Sequence, residues 1–421
     1  MKFTFVSNYM NHHQQPFCDA MYSALGKDFT FVATMPMEKE RVEMGWDESL
    51  SRLPYVRLLY EDPSAEQLIY DSDAVLLGWT GREDIAQKRL MSGKVTMRVS
   101  ERLYREGRNR AISPRGLIAK YREHIRFRKK PVYMLCAGAY AAADFDLIRA
   151  YPGKLLKWGY FPPFIENSEK DIDAKLDSPE LIRIVWVGRF IPLKHPEYMV
   201  ELARTLRAEK INFEIDMIGD GEMLDQIKKE VDDDDPAAGK KPVPQYMQSF
   251  EEPEEAVRPL SEYIRFHGAL PPGEVRRIMG ESHIHIMTSN QLEGWGAVIN
   301  EGMNAGCIEI ACYLCGAVPF LIRDNENGLI YDHEICEEME QVVLRVLRNP
   351  RGYAHLGSRA YRTIRDEWNA ELAAGRLLKF TQSLLRGDTP ELPESGPLSP
   401  APLLVSAAEP AIYSFSSYFK F

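Results

Sequence analysis

The chain reads as an α/β protein of two tandem Rossmann-like domains. Three observations predict this. Short apolar runs alternate with amphipathic stretches along most of the chain, the pattern of parallel β-α-β units. The alternation stops at a polar, acidic segment at 167–180 (NSEKDIDAKLDSPE) and then starts again. The length, 421 residues, allows two or three domains at about 150 residues each. The expected boundaries are an N-terminal domain at 1–166, a linker at 167–180, a C-terminal domain with terminal helices at 181–387, and a Pro/Ser-rich tail at 388–421.

In the first series, Lys2–Ser7 is a continuous apolar run suited to a strand buried on both faces, and Phe17–Leu25 follows as a helix. Phe29–Thr34, Ala74–Trp79, Val95–Ser100 and Val132–Ala137 are further strands. The second series opens with a strand at Ile182–Val187 and a helix beginning near Pro196, a residue suited to a first helical turn. Strands are expected at Phe213–Ile218, Tyr263–His267, His283–Thr288 and Ile308–Tyr313. From about Glu334 to Leu385 the pattern is helical, with a break near Asn349-Pro350. Asp232–Arg258 begins with four consecutive Asp and has little periodicity, so it reads as a surface insertion. The tail from Asp388 is expected to be extended or disordered until it meets a partner.

Composition narrows the function classes. Hydrophobic residues are 45% and charged residues 27% of the chain, ordinary for a globular protein with ample core. The net charge of −10 opposes binding to nucleic acid, and any contact with a polyanion must come from a local basic patch. No uncharged apolar run reaches the roughly 20 residues that span a bilayer. The N-terminal MKFTFVSNYM lacks the apolar core of a signal peptide, and six scattered cysteines make no disulfide framework. A cytoplasmic setting is the expectation. One such basic patch exists: 102–130 holds 11 Lys plus Arg against two Glu, interleaved with Leu103, Leu117, Ile118, Tyr121, Ile125 and Phe127. It suits peripheral contact with an anionic membrane, such as the inner face of the plasma membrane, or guidance of a lipid diphosphate; a solvated helix face is the plainer alternative.

The strongest chemical signal is Glu293-Gly-Trp-Gly-Ala-Val-Ile-Asn-Glu301, which follows a strand and enters a helix near Gly296. Glycines let a ligand approach the backbone, and the open N–H groups of a first helical turn suit a diphosphate. Glu301 could accept the hydroxyl hydrogens of a ribose, and Glu293 lies closer to whatever the phosphates carry. Two solvated surface acids are the alternative. Gly188-Arg189 ends the second domain's first strand with Lys194 five residues on, where two cations could neutralise a departing diphosphate. A surface ion pair would explain them equally. Ile218-Gly219-Asp220-Gly221 also follows a strand but lacks the full dinucleotide fingerprint, and no P-loop, zinc-protease or hydrolase-elbow motif occurs. Cys312-Tyr-Leu-Cys315 has no second ligand pair and reads as buried thiols, and His283 and His285 as packed side chains.

Taken together and in order, Gly188-Arg189 with Lys194, Ile218-Gly219-Asp220-Gly221, Phe266-His267-Gly268, Glu293-Gly-Trp-Gly, Glu301 to Gly306 and Asn327-Gly328-Leu329-Ile330 resemble the retaining glycosyltransferases of family 4, among the glycosyl transferases group 1. The resemblance covers about Arg183 to Asp332. It implies a GT-B fold, with two Rossmann-like domains facing each other across a cleft. It implies a nucleotide diphosphate sugar as co-substrate, with no cofactor and no metal requirement. Arg189, Lys194, Gly219, Gly296, Ala297, Val298 and Glu301 would hold the donor, and Glu293, Arg189 and Lys194 would serve the chemistry. A saccharide or lipid-linked acceptor would meet the N-terminal domain, as in bacterial surface polysaccharide synthesis.

Two departures from the family stand out. Gly302 replaces the usual Ala, and Asn11-His12-His13-Gln14-Gln15 replaces a Gly-rich turn after the first strand. Asn11, His12, His13 and Gln14 can exchange hydrogen bonds with sugar hydroxyls, though Asn11 also suits a helix cap. Glu101 and Arg102, after a later strand, are further acceptor candidates. A nucleotide-sugar epimerase of the same fold, or a non-catalytic nucleotide-sugar-binding partner subunit, are the competing readings.

Overall fold

The computed structural model describes residues 1–43, 46–108, 111, 113–175, 179–234, 258–332 and 335–405. The first domain is a seven-stranded parallel sheet: β1 (Phe3–Ser7), β2 (Phe29–Ala33), β3 (Val56–Leu58), β4 (Ala74–Leu77), β5 (Val95–Ser100), β6 (Val132–Ala137) and β7 (Leu155–Trp158). Their order across the sheet is β3-β2-β1-β4-β5-β6-β7. The second domain is a six-stranded parallel sheet of β8 (Ile182–Val187), β9 (Phe213–Ile218), β10 (Ile264–Gly268), β11 (Ile284–Met287), β12 (Ile308–Cys312) and β13 (Leu329–Tyr331), in the order β10-β9-β8-β11-β12-β13.

In both sheets the order reverses beside the first strand, between β1 and β4 and between β8 and β11. Loops leaving the carboxyl ends of those strands diverge and open a crevice, where doubly wound proteins place ligands. The strands are mostly apolar and buried because helices cover both faces; β1, for example, is buried along its whole length.

Three expectations about the outer parts of the chain change. The linker segment holds a short helix, Glu169–Ala174, capped by Ser168 and docked on the second domain. Its Ile172 is buried, and Glu169 pairs with Arg362 and Arg365. The last helix, Ala370–Arg386, returns to the first domain and packs on helix Gln15–Leu25, with Phe380 edge-on to Tyr133 at 5.0 Å.

The tail needs no outside partner as far as residue 405. It runs antiparallel to the edge strand β7: Leu398 donates to Lys157 O (2.8 Å), Lys157 to Ser399 O (2.8 Å) and Ala401 to Leu155 O (3.0 Å). An edge strand offers unpaired backbone groups, and here the chain's own tail takes them. Residues 406–421, and 235–257 of the expected insertion, lie outside the described residues.

Candidate active site

The two crevices face each other. The carbonyl of Gly316 accepts from Ala139 N–H (2.8 Å), and Tyr140 donates to Tyr313 O (2.7 Å), so the loops after β6 and β12 are joined. Trp295, in the loop after β11, is buried between Gly159 and Trp368, and its indole N–H bonds Asn300 Oδ1 at 2.9 Å. The carboxylate of Glu101, after β5, fills the space a side chain on Gly294 would take.

On the second domain's side, the loops leaving β8 and β11 are stapled together. A 3-10 turn, Pro192–Lys194, ends on left-handed His195 (φ 46°, ψ 55°) before helix Glu197–Ala208. Trp186 of β8 donates to Thr288 Oγ1 (2.8 Å), Thr288 donates to the carbonyl of Lys194, and Asn290 N–H bonds Leu193 O at 3.0 Å. This brings the Lys194 ammonium onto the Glu293 carboxylate, with the two side chains only 13% and 17% exposed. Arg189 is exposed at the mouth of the same crevice and makes no ion pair among the described residues. Gly219 packs on Gly188, and its N–H bonds Gly268 O at 2.8 Å, tying the ends of β8, β9 and β10 into one floor.

Gly296 takes φ 91°, a value glycine adopts without strain, and turns the chain into helix Val298–Asn304. The N–H groups of Gly296, Ala297 and Val298 meet no backbone acceptor among the described residues; the first such bond is Ile299 N–H to Gly296 O, 3.1 Å. Glu301 is buried, and burial raises its pKa against the pull of Arg276, whose guanidinium is 3.3 Å away. Beneath it lies a hydrogen bond between His285 Nδ1 and Glu309 at 2.7 Å, with both side chains shut off from water. A Cβ on Gly302 would come within 2.6 Å of Glu309 and 2.8 Å of His285, which accounts for glycine where the family usually has alanine.

The first domain's side is aromatic and mostly neutral. Asn11 Oδ1 accepts from His13 N–H (3.0 Å) and Gln14 N–H (3.2 Å), which closes the turn that leads into helix Gln15–Leu25. The rings of His12 and His13 lie 3.9 Å apart, with Trp46 edge-on to both and Tyr160 stacked on His13. Burial, with a smaller push from Arg276, lowers His12 to about 4, and burial holds His13 well below its ordinary value. Both are neutral at pH 7. Gln14 donates to Ser7 Oγ at 3.2 Å.

Tyr160, pushed up to about 12 by burial, donates to Glu101 at 2.7 Å, and Arg105 pairs with the same carboxylate. Arg102 turns into the first domain instead of the cleft. Its guanidinium is buried against Asp144 (3.6 Å) and over Tyr140, inside the first domain, because an arginine next to a buried carboxylate is better placed there than in the cleft. Arg276, Trp46 and Tyr160 join the site without any motif to announce them.

Against this geometry the comparisons are specific. Residues 182–349 match the family described as Glycosyl transferases group 1. The chain resembles that family, and its fold is GT-B. Anabaena HepE, in complex with UDP and glucose, superposes with a TM-score of 0.60 at 13% identity, over 91% of this chain and 100% of that one. A glycosyltransferase from Rickettsia africae gives 0.60 at 14%, over 92% and 100%. WaaG, a glycosyltransferase involved in lipopolysaccharide biosynthesis, gives 0.55 at 12%, over 88% and 98%. No curated protein matches the chain in sequence. Among the described residues, no cluster of three or more His, Cys, Asp or Glu is arranged to hold a metal, and no helix is long and apolar enough to cross a membrane. All six cysteines are unpaired, five of them buried, Cys312 and Cys315 included.

Proposed function

We propose that this chain is a retaining glycosyltransferase that moves a hexose from a nucleotide diphosphate sugar to a saccharide or lipid-linked acceptor in surface polysaccharide synthesis. The observation that carries the reading is the Lys194–Glu293 pair at the point where the second sheet's strand order reverses, with buried Glu301 on the helix that follows. Bound UDP and UDP-glucose in the HepE structures support a uridine donor, and the role of WaaG supports the polysaccharide setting.

In this reading Lys194 and Arg189 neutralise the diphosphate and stabilise the charge it gains on leaving. Lys194 then exchanges Glu293 for phosphate, which frees Glu293 to hold hydroxyls of the transferred sugar. Glu301, kept in place by Arg276, accepts the ribose hydroxyls. The acceptor approaches from the first domain, on the face from which the diphosphate leaves, and closure over the cleft keeps water out.

The basic segment supports a cytoplasmic protein that meets anionic membrane. Helix Pro114–Glu123 buries none of its residues, and Leu117, Ile118 and Tyr121 are exposed beside Arg115 and Arg122. Not all of the segment's charge is available: Arg102 and Arg108 are spent on Asp144, and Arg126 bonds Gln87.

The test is release of nucleoside diphosphate from UDP-, GDP- and ADP-hexoses, with chelator present. One donor should be consumed by wild type and spared by Glu293→Gln and Lys194→Ala. Equal consumption by all three proteins would refute the assignment.

A further inference from the structure

Trp79 is the most exposed large apolar side chain among the described residues, at 63%. It stands just beyond the end of β4, which pairs with β1 on one side and β5 on the other. The loop after β1 carries His12, His13 and Gln14, and the loop after β5 carries Glu101, which touches Gly294 of the second domain. Trp79 therefore sits between two loops that face the other domain, at the reversal point of the first sheet. An indole left in water at that place is a feature to explain, since the ring gains most by being covered.

The loop that presents it is fixed. Ser7 Oγ donates to Trp79 O (3.4 Å), Thr34 Oγ1 to Thr80 O (2.5 Å) and Arg82 N–H to Thr80 Oγ1 (3.1 Å). Through Ser7 the same loop connects to the amide of Gln14. There, two buried polar atoms have no hydrogen-bond partner: Gln14 Oε1 and His13 Nδ1. Buried polar groups are nearly always paired, so these two point to a ligand that brings polar hydrogens. An acyl chain could cover the indole but would leave both atoms unpaired. A phosphate would have no use for the indole and would be repelled by Gln14 Oε1. A sugar ring offers an apolar C–H face and a rim of hydroxyls, and it satisfies both features.

We propose that Trp79 is the platform on which the terminal ring of the acceptor stacks, with Gln14 Oε1 taking a hydroxyl hydrogen, so that the accepting end of the acceptor is a saccharide. This rests on the transferase reading.

The experiment is saturation-transfer NMR with the methyl glycosides of glucose, galactose, mannose and N-acetylglucosamine as probes, and decyl phosphate as the non-sugar probe. Wild type should saturate the ring C–H protons of at least one glycoside. Trp79→Ala should weaken that binding at least tenfold, and Trp79→Phe should retain most of it. UDP should raise the melting temperature of all three proteins equally. Glycoside binding that is equal in wild type and Trp79→Ala would overturn the proposal, as would Trp79-dependent binding of decyl phosphate with none of any glycoside. The donor reading fails separately, if no nucleotide shifts wild type.

Discussion

Replacing Lys194 with Met strands the carboxylate of Glu293 in a site it cannot easily leave. The paired side chains are 13% and 17% exposed, so most of their hydration has been exchanged for each other. Breaking a fully buried pair from one side costs about 3–5 kcal/mol. The remaining access to water lowers the expected loss here to about 2–3 kcal/mol. Removing both charges, as Lys194→Met/Glu293→Leu, leaves no orphan and should return stability to within about 1 kcal/mol of wild type. Function should not return with it, because the diphosphate has lost its buried cation. The assay is urea unfolding of the second domain for wild type, both single variants and the double variant, alongside titration of each with UDP. The reasoning is refuted if Lys194→Met is as stable as wild type, or if the double variant binds UDP with wild-type affinity.

Other consequences follow from burial. Folding holds His12 and His283 at about 4, and the unfolded chain protonates both near 6.5. Their contribution is present above about 6.5 and lost as pH falls toward 4, about 1–2 kcal/mol each by pH 5; a donor-free stability curve that is flat from pH 7 to 5 would contradict this. Gly302→Ala should destabilise by about 1–2 kcal/mol, since overpacking against His285 and Glu309 outweighs the gain in helix propensity, and calorimetry that finds it neutral would remove that explanation. Deleting 388–421 uncovers the β7 edge and the buried Leu398, so the first domain should lose about 2 kcal/mol and self-associate in light scattering. Leu117→Glu/Ile118→Glu should abolish sedimentation with anionic vesicles and move the melting temperature little, because both side chains are exposed.

The inner strands were legible because burial on both faces leaves runs rich in apolar and β-branched residues, as at β1 and β8, the latter broken only by exposed Arg183. The strands without a sequence signal, β3, β7 and β13, are sheet edges of three or four residues, too short to carry a pattern. That Lys194 and Glu293 lie near each other could be read because both are on loops whose position the strand pattern dictates. The acceptor side was harder. Arg102, in the loop after β5, is claimed by Asp144 of helix Ala141–Leu147, and Asn11 by the backbone two and three residues on. Arg276 reaches Glu301 only through helix packing, and nothing in its neighbourhood separates it from Arg277, which pairs on the surface. The tail's fit to β7 is a long-range backbone match, invisible in its Pro- and Ser-rich composition.

The most direct test of the donor site is a thermal-shift titration of wild type and Glu301→Gln with UDP, GDP, ADP and their sugars, in the presence of chelator. A donor at a hundred times its dissociation constant adds about 2.7 kcal/mol. The account predicts that one nucleotide family stabilises wild type by this order and that Glu301→Gln, itself folded, loses most of the shift. A wild-type protein that no nucleotide stabilises, or an equal shift in both proteins, would contradict it.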